Sequence, residues 1–303
     1  MLDETAKGVF TIAATPFQPD GSLDVASLDS MTDFYLERGA TGLTILGIMG
    51  EAGKLSAEES ATVIKQVCAR ATVPVIVGVS APGFAAIESL TNVAMDKGAA
   101  GVMIAPPGNL RTDAQIAGYY RTLGQKLGST PWVIQDFPQV TNVQIDTRVI
   151  LQIVEENPSC VMLKHEDWPG LEKIAALRAA SDNGARRISI LCGNGGQFLL
   201  EEMLRGADGA MTGFAYPEMM RDVTTLMKSG NEIAARNIFD AYLPLIRYES
   251  QPGLGLAIRK YILAKRGAIA HAAVRAPGPK LSTASIAEIE TLIARQTERL
   301  NRA

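Results

Sequence analysis

Lys97-Gly98-Ala99-Ala100-Gly101-Val102-Met103-Ile104-Ala105 is the stretch on which the reading of this chain turns. A basic residue closes a helical segment, a glycine tolerant of left-handed backbone ends it, and a short apolar run follows at once. Arg205-Gly206-Ala207-Asp208-Gly209 repeats the junction in the second half of the chain. Outward from these two points, Val- and Ile-rich runs fall at 9–14, 42–46, 74–79, 101–105, 132–135, 160–164, 188–191 and 209–212, eight in all. Segments with helical periodicity lie between them, among them 28–38, 57–70, 85–97 and 113–127. Strand alternating with helix is the pattern of parallel β/α units. An open doubly wound sheet alternates in the same way, but eight units without a Gly-x-Gly-x-x-Gly turn after the first favour closure into an α/β (β/α)8 TIM barrel. After Thr212 the pattern is helical at 218–228, 231–248, 254–266 and 282–300. The expected division is a barrel over 1–229 and a C-terminal helical extension over 230–303 packed on it, with Ala276-Pro277-Gly278-Pro279 as a linker inside the extension.

At 303 residues, the chain accommodates one barrel of about 250 residues and an appendage. A net charge of −3 and the lack of a Lys/Arg run supply no field for tracking phosphate backbones, so nucleic acid is not expected as a partner. No apolar stretch reaches the roughly 18 to 20 residues that cross a bilayer, so no membrane association is expected either. The opening Met-Leu-Asp-Glu-Thr lacks the basic-then-apolar order of a secretory signal, and a cytoplasmic location is the expectation. Cys68, Cys160 and Cys192 are far apart, each within an apolar run, and indicate neither a disulfide framework nor a zinc motif. With only His165 and His271, a multi-histidine metal site is not expected, and nothing calls for another cofactor.

Barrel chemistry is done at the C-terminal ends of the strands, where Lys164 stands out. It follows Cys160-Val161-Met162-Leu163, at the rim of an apolar core where desolvation disfavours the ammonium. A neutral lysine condenses with the keto carbon of a 2-oxo acid, and the resulting iminium withdraws electrons from neighbouring bonds. Pattern alone leaves open a structural lysine paired with Glu166 or Asp167.

Further landmarks narrow the choice. These are Ala14-Thr15-Pro16-Phe17, Gly47-Ile48-Met49-Gly50-Glu51 after the second strand, Ala105-Pro106-Pro107 after the fourth, Pro138 after the fifth, Lys164 after the sixth, Gly193 after the seventh and Gly209-Ala210-Met211-Thr212-Gly213 at the eighth. In this order they resemble the N-acetylneuraminate lyase and dihydrodipicolinate synthase family of class I aldolases, over the whole chain. The resemblance implies a lyase that forms a Schiff base through Lys164 with a small 2-oxo acid. It also implies substrate contacts at Ile48, Met49, Asp136, Gly193, Met211 and Thr212, and a homo-oligomer, tetramer or dimer.

Departures from the family pattern carry information too. Two hydroxyl residues usual in the Gly-x-x-Gly-Glu loop are Ile48 and Met49, whose backbone N–H groups remain available to a carboxylate. The family's Tyr-Asn-x-Pro is Gln135-Asp136-Phe137-Pro138, and Gln135 cannot take up a proton as a tyrosinate would. Val140 stands where dihydrodipicolinate synthase has an arginine, and Pro107 and Gly108 replace its tyrosine pair, which speaks against that particular synthesis. The Gln-Asp-x-Pro and Lys-x-Glu forms are similar to the branch that dehydrates 2-keto-3-deoxy sugar acids. In that reaction Glu166, two residues beyond Lys164, is the candidate acid–base group, a solvated loop carboxylate being the alternative. Asp136 either orients Gln135 or caps a turn. His165 points by strand alternation toward the helix layer and reads as structural. Gly193-Asn194-Gly195-Gly196 reads as a tight turn or an anion site, Asn109 and Arg111 as solvated residues or carboxylate partners, and Trp132, Trp168, Phe214 and Tyr216 as core or pocket wall. Two other functions stay open: a pyruvate-dependent aldolase or synthase, and a non-catalytic 2-oxo acid binding protein.

Overall fold

The computed structural model describes residues 1–168 and 170–302. Strands β1 (Gly8–Ile12), β2 (Gly42–Ile45), β3 (Val75–Gly78), β4 (Gly101–Ile104), β5 (Trp132–Asp136), β6 (Cys160–His165), β7 (Ser189–Cys192) and β8 (Gly209–Ala210) form a closed, all-parallel barrel in chain order. Closure joins β8 to β1 through Gly8 with Gly209 and Val9 with Ala210. A Cβ at position 209 would lie 1.9 Å from the Gly8 carbonyl oxygen, so the seam requires glycine there. Helices α1 (Val25–Glu37), α2 (Ala57–Arg70), α3 (Phe84–Asp96), α4 (Asp113–Leu127), α5 (Pro138–Thr141), α6 (Thr147–Glu156), α7 (Leu171–Asp182), α8 (Leu199–Leu204) and α9 (Pro217–Lys228) connect and follow the strands. Gly98 and Gly206, at φ +90° and +93°, terminate α3 and α8 as the repeated junction predicts.

Each strand is covered on both faces, which is why the runs read as continuously apolar. Phe10, Ile12, Ile76, Met103, Val133, Met162, Leu191 and Met211 fill the barrel interior. Leu43, Ile45, Val77, Val102, Ile104, Ile134, Leu163 and Ile190 alternate outward against the helices. The last strand is shorter than the sequence suggests: β8 stops at Ala210, although the Met211 N–H still donates to Cys192 and the Thr212 carbonyl still accepts from Ile12. Strands β5 and β6 each run one residue further than expected, to Asp136 and His165.

Beyond the barrel come α10 (Glu232–Glu249), α11 (Gly255–Lys265) and α12 (Thr283–Leu300). They have no core of their own. Phe239, Ile246, Ile258 and Ile289 pack in one cluster with Val9, Ala210, Phe214 and Met219 of the barrel wall.

One buried carboxyl in the wall gives a stability prediction. Glu202 on α8 is 4% exposed, its Oε2 has no partner among the described residues, and burial pushes its pKa up to about 8 despite a hydrogen bond with Cys192. An unfolded chain releases this proton from pH ~4.5 upward while the folded chain holds it, so stability falls as pH rises between about 4.5 and 8. Glu202→Gln is expected to remove a loss on the order of a few kcal/mol above pH 8, a gain of several degrees in Tm, and to change little at pH 4.5. Melting curves at the two pH values check it; equal shifts at both would show that the buried charge is not the cause.

Candidate active site

Alternation along β5 and β6 sorts the candidates onto two sides of the barrel wall. Gln135 pairs in register with Lys164, on the interior side shared with Val133 and Met162. Asp136 pairs with His165, on the side that faces the helices. Lys164 is 5% exposed, and its Nζ lies 2.8 Å from Oε2 of Glu166, itself 5% exposed. The same Oε2 accepts a 2.7 Å hydrogen bond from Nε2 of Gln135. Amine, carboxylate and amide therefore meet at one oxygen, and a proton has a direct path between Lys164 and Glu166. The ion pair and the catalytic candidate turn out to be the same lysine.

Glu166 is held by backbone as well. Its N–H donates to Asp136 O at 2.9 Å and its carbonyl accepts from Nδ2 of Asn194 at 3.1 Å. Gly193 makes room for it: a Cβ there would stand 2.2 Å from Cγ of Glu166. The Gly193 N–H donates to His165 O and its carbonyl accepts from Gly196 in a short 3-10 turn, while Thr212 Oγ1 accepts from Gly195 N–H at 2.8 Å. Thr212 thus steadies the glycine loop, and Met211 faces the barrel interior.

Ile48 and Met49 open another 3-10 turn, Ile48–Gly50, and their N–H groups, being first in it, have no acceptor within it. Ile48 is exposed and Met49 half-buried. The turn is fixed from below by Glu51, in left-handed backbone at φ +54° and 4% exposed. Its carboxylate receives Lys260 of α11, Lys54 at 2.7 Å and the Arg275 backbone N–H at 3.1 Å. Arg111 is exposed and folds back on its own loop, donating to Gly108 O and Leu110 O. Trp168 is exposed and stands edge-on to Phe198 at 4.8 Å.

Asp136, expected among the substrate contacts, requires correction. Its side chain is fully buried behind the wall, where Oδ2 accepts from Lys173 of α7 at 2.8 Å, and strand alternation keeps it from the mouth that Gln135 faces. Burial raises its pKa to about 6 against the pull of Lys173. His165 lies beside it, its Nδ1 3.9 Å from Asp136 Oδ2. Its Nε2 pairs with Gly170 O at 3.1 Å; a carbonyl only accepts, so Nε2 carries the hydrogen. Burial first and Lys173 second push the imidazole down to about 4, so it is neutral at pH 7 and structural in character. Sequence reasoning missed Lys173 and Lys260. Asp136 is 37 residues from Lys173 and Glu51 is 209 from Lys260, and no local pattern marks such pairs.

Fold and site together define a class, a (β/α)8-barrel enzyme with a lysine–carboxylate pair at the ends of its strands. The chain belongs to the dihydrodipicolinate synthetase family, whose profile matches residues 5–296, and it is a lyase. Among curated relatives it is 28% identical over 304 residues to L-2-keto-3-deoxyarabonate dehydratase of Azospirillum brasilense, covering 95% of this chain and 94% of that one. It is 30% identical over 241 residues to 4-hydroxy-tetrahydrodipicolinate synthase of Xanthomonas campestris pv. campestris, covering 78% and 77% of the two chains. A crystal structure described as dihydrodipicolinate synthase from Rhodopseudomonas palustris is 54% identical and superposes with a TM-score of 0.96 over 97% of this chain and 99% of that one. Against these relatives, the non-catalytic binding protein is set aside.

Proposed function

We propose that the protein dehydrates a 2-keto-3-deoxy sugar acid, or a compound closely related to one, through a Schiff base on Lys164. The observation that carries this reading is the 2.8 Å contact between Lys164 Nζ and Glu166 Oε2, with Gln135 on the same oxygen. Glu166 takes a proton from Lys164, and the neutral amine adds to C2 of the keto acid; loss of water gives the iminium. Glu166 gives its proton to the departing carbinolamine oxygen, and the restored carboxylate removes one from C3 and leaves an enamine. Glu166 then gives that proton to the C4 hydroxyl, which leaves as water, and hydrolysis of the conjugated iminium returns Lys164 and frees the product. Gln135 directs an N–H at Glu166 and so orients the carboxylate. It has no group that ionises near neutrality, which suits a dehydration needing one carboxyl better than a condensation needing a phenol to carry protons. The N–H groups of Ile48 and Met49 would receive the substrate carboxylate, with Gly193, Met211 and Thr212 forming the opposite wall. The likeness to the Azospirillum dehydratase over nearly the full length of both chains supports the same reading.

A second reading is a pyruvate-dependent aldolase or synthase, favoured by the 54% identity to the Rhodopseudomonas structure. In either case we infer a homo-oligomer, dimer or tetramer, in the cytoplasm. Borohydride trapping with pyruvate and with L-2-keto-3-deoxyarabonate, followed by intact mass and peptide mapping, tests the imine. An adduct on Lys164 with both, and loss of water only from the sugar acid, is the expected result. No adduct with either, or a condensation product with no dehydration, would overturn the first reading.

A further inference from the structure

Three features outside the reacting groups stand out: the buried Glu202–Cys192 pair, the Glu51–Lys260 tie between mouth and extension, and the cluster behind β5 and β6. The last reaches closest to the chemistry. Lys173 is a partly buried lysine on α7, its side chain 10% exposed, and its Nζ contacts two carboxylates at once. Asp136 Oδ2 lies at 2.8 Å and Asp167 Oδ2 at 2.7 Å. Asp136 is the last residue of β5 and immediately follows Gln135; Asp167 immediately follows Glu166. One ammonium thus ties together the two segments from which the amide and the carboxylate project to the opposite side of the wall.

From this placement we infer that Lys173 is a positioning residue for the reaction at Lys164, clamping the Glu166 segment against β5 so that Glu166 Oε2 stays between Lys164 and Gln135. The inference rests on the function proposed above. Backbone bonding shows why the clamp matters. Beyond His165 the ladder between β5 and β6 has one remaining bond, Glu166 N–H to Asp136 O, before the chain leaves the sheet. Glu166 is therefore the first residue past the strand, and without Asp167 tied down it is held by that bond, the Asn194 amide and its own side-chain contacts. Burial works against the Lys173 ammonium, but Asp136 and Asp167 outweigh it and leave its pKa above the ordinary lysine value, so the tie persists at neutral pH. A displacement of about 1 Å at a reacting group costs up to about 100-fold in rate, the size of effect a positioning residue exerts.

A lone Lys173→Met leaves Asp136 buried without its cation and so weakens the fold. The decisive variant is Asp136→Asn/Lys173→Met, which removes both charges, alongside Lys173→Arg, which keeps a cation able to reach two carboxylates. For the double variant we expect a melting temperature above that of Lys173→Met. We also expect a kcat about 10 to 100-fold below wild type, a KM within about threefold and an undiminished borohydride adduct on Lys164. Lys173→Arg recovers part of kcat. A crystal structure of the double variant is expected to show Glu166 Oε2 withdrawn from Lys164 and Gln135. Wild-type turnover by the double variant, or Glu166 unmoved in its structure, overturns the inference. No adduct on wild-type protein would instead strike at the Schiff-base reading and leave the structural comparison to decide the role of Lys173.

Discussion

Lys164→Met is expected to give no borohydride adduct with any 2-oxo acid and to lower kcat/KM by at least about 10³-fold. The imine needs a nucleophilic amine at the mouth, and Lys164 is the lysine whose Nζ shares an oxygen with Glu166 and Gln135. Lys173 and Lys260, which also lie close to the mouth loops, are each bound to carboxylates other than Glu166. Removing one partner of a buried ion pair also costs about 3 kcal/mol or more, so the variant should melt earlier and must be assayed below its transition. Peptide mapping after trapping reads the outcome. An adduct on a different lysine, or turnover within tenfold of wild type, would mean that the pair at Lys164 is a structural salt bridge.

Glu166→Gln separates imine formation from the later proton transfers. The variant is expected to form its adduct with pyruvate on Lys164 more slowly, since no carboxylate takes up the lysine proton, and to lose about 10² to 10⁴-fold in the turnover of a 2-keto-3-deoxy sugar acid, because glutamine cannot accept the C3 proton either. Its carboxamide also presents an N–H where Gln135 now donates, so one of the two amides must turn. Single-turnover mixing with a borohydride quench distinguishes the steps: adduct should accumulate in the variant and be transient in wild type. Dehydration at the wild-type rate would transfer the proton to some other group.

The barrel was legible because each β/α unit carries its own punctuation. Gly98 and Gly206 adopt the left-handed backbone their junctions call for, and strands covered on both faces leave unbroken Val and Ile runs. β8 reads on to Thr212 in the sequence, and Met211 and Thr212 do still bond to Cys192 of β7 and Ile12 of β1, although the regular strand ends at Ala210. Strand position and the period of two point to Lys164 and Glu166 as neighbours, and the Gln-Asp-x-Pro stretch points to Gln135; the structure brings the three side chains together at one oxygen. That same period turns Asp136 away from the site, although its place in the Gln-Asp-x-Pro stretch sets it beside Gln135. The network behind the wall has no sequence signal, since the ion pair of Lys173 with Asp136 depends on how α7 packs on the outside of the barrel, a matter of tertiary packing. The anchoring of Glu51 by Lys260 was hidden for the same reason.

That anchoring bears on the order in which a working enzyme comes into being. All eight strands precede residue 211, so a growing chain can contain every element of the barrel, with Lys164 and Glu166 among them, while α11 and Arg275 are still unsynthesised. At that stage the Glu51 carboxylate has Lys54 alone, and the turn at Ile48 lacks the cation and the backbone N–H that later fix it. Domains fold as units during synthesis, N-terminal parts first. Competence to bind substrate in the arrangement proposed here would therefore lag behind formation of the barrel, and arrive only when Lys260 and Arg275 have closed on Glu51 beneath the turn.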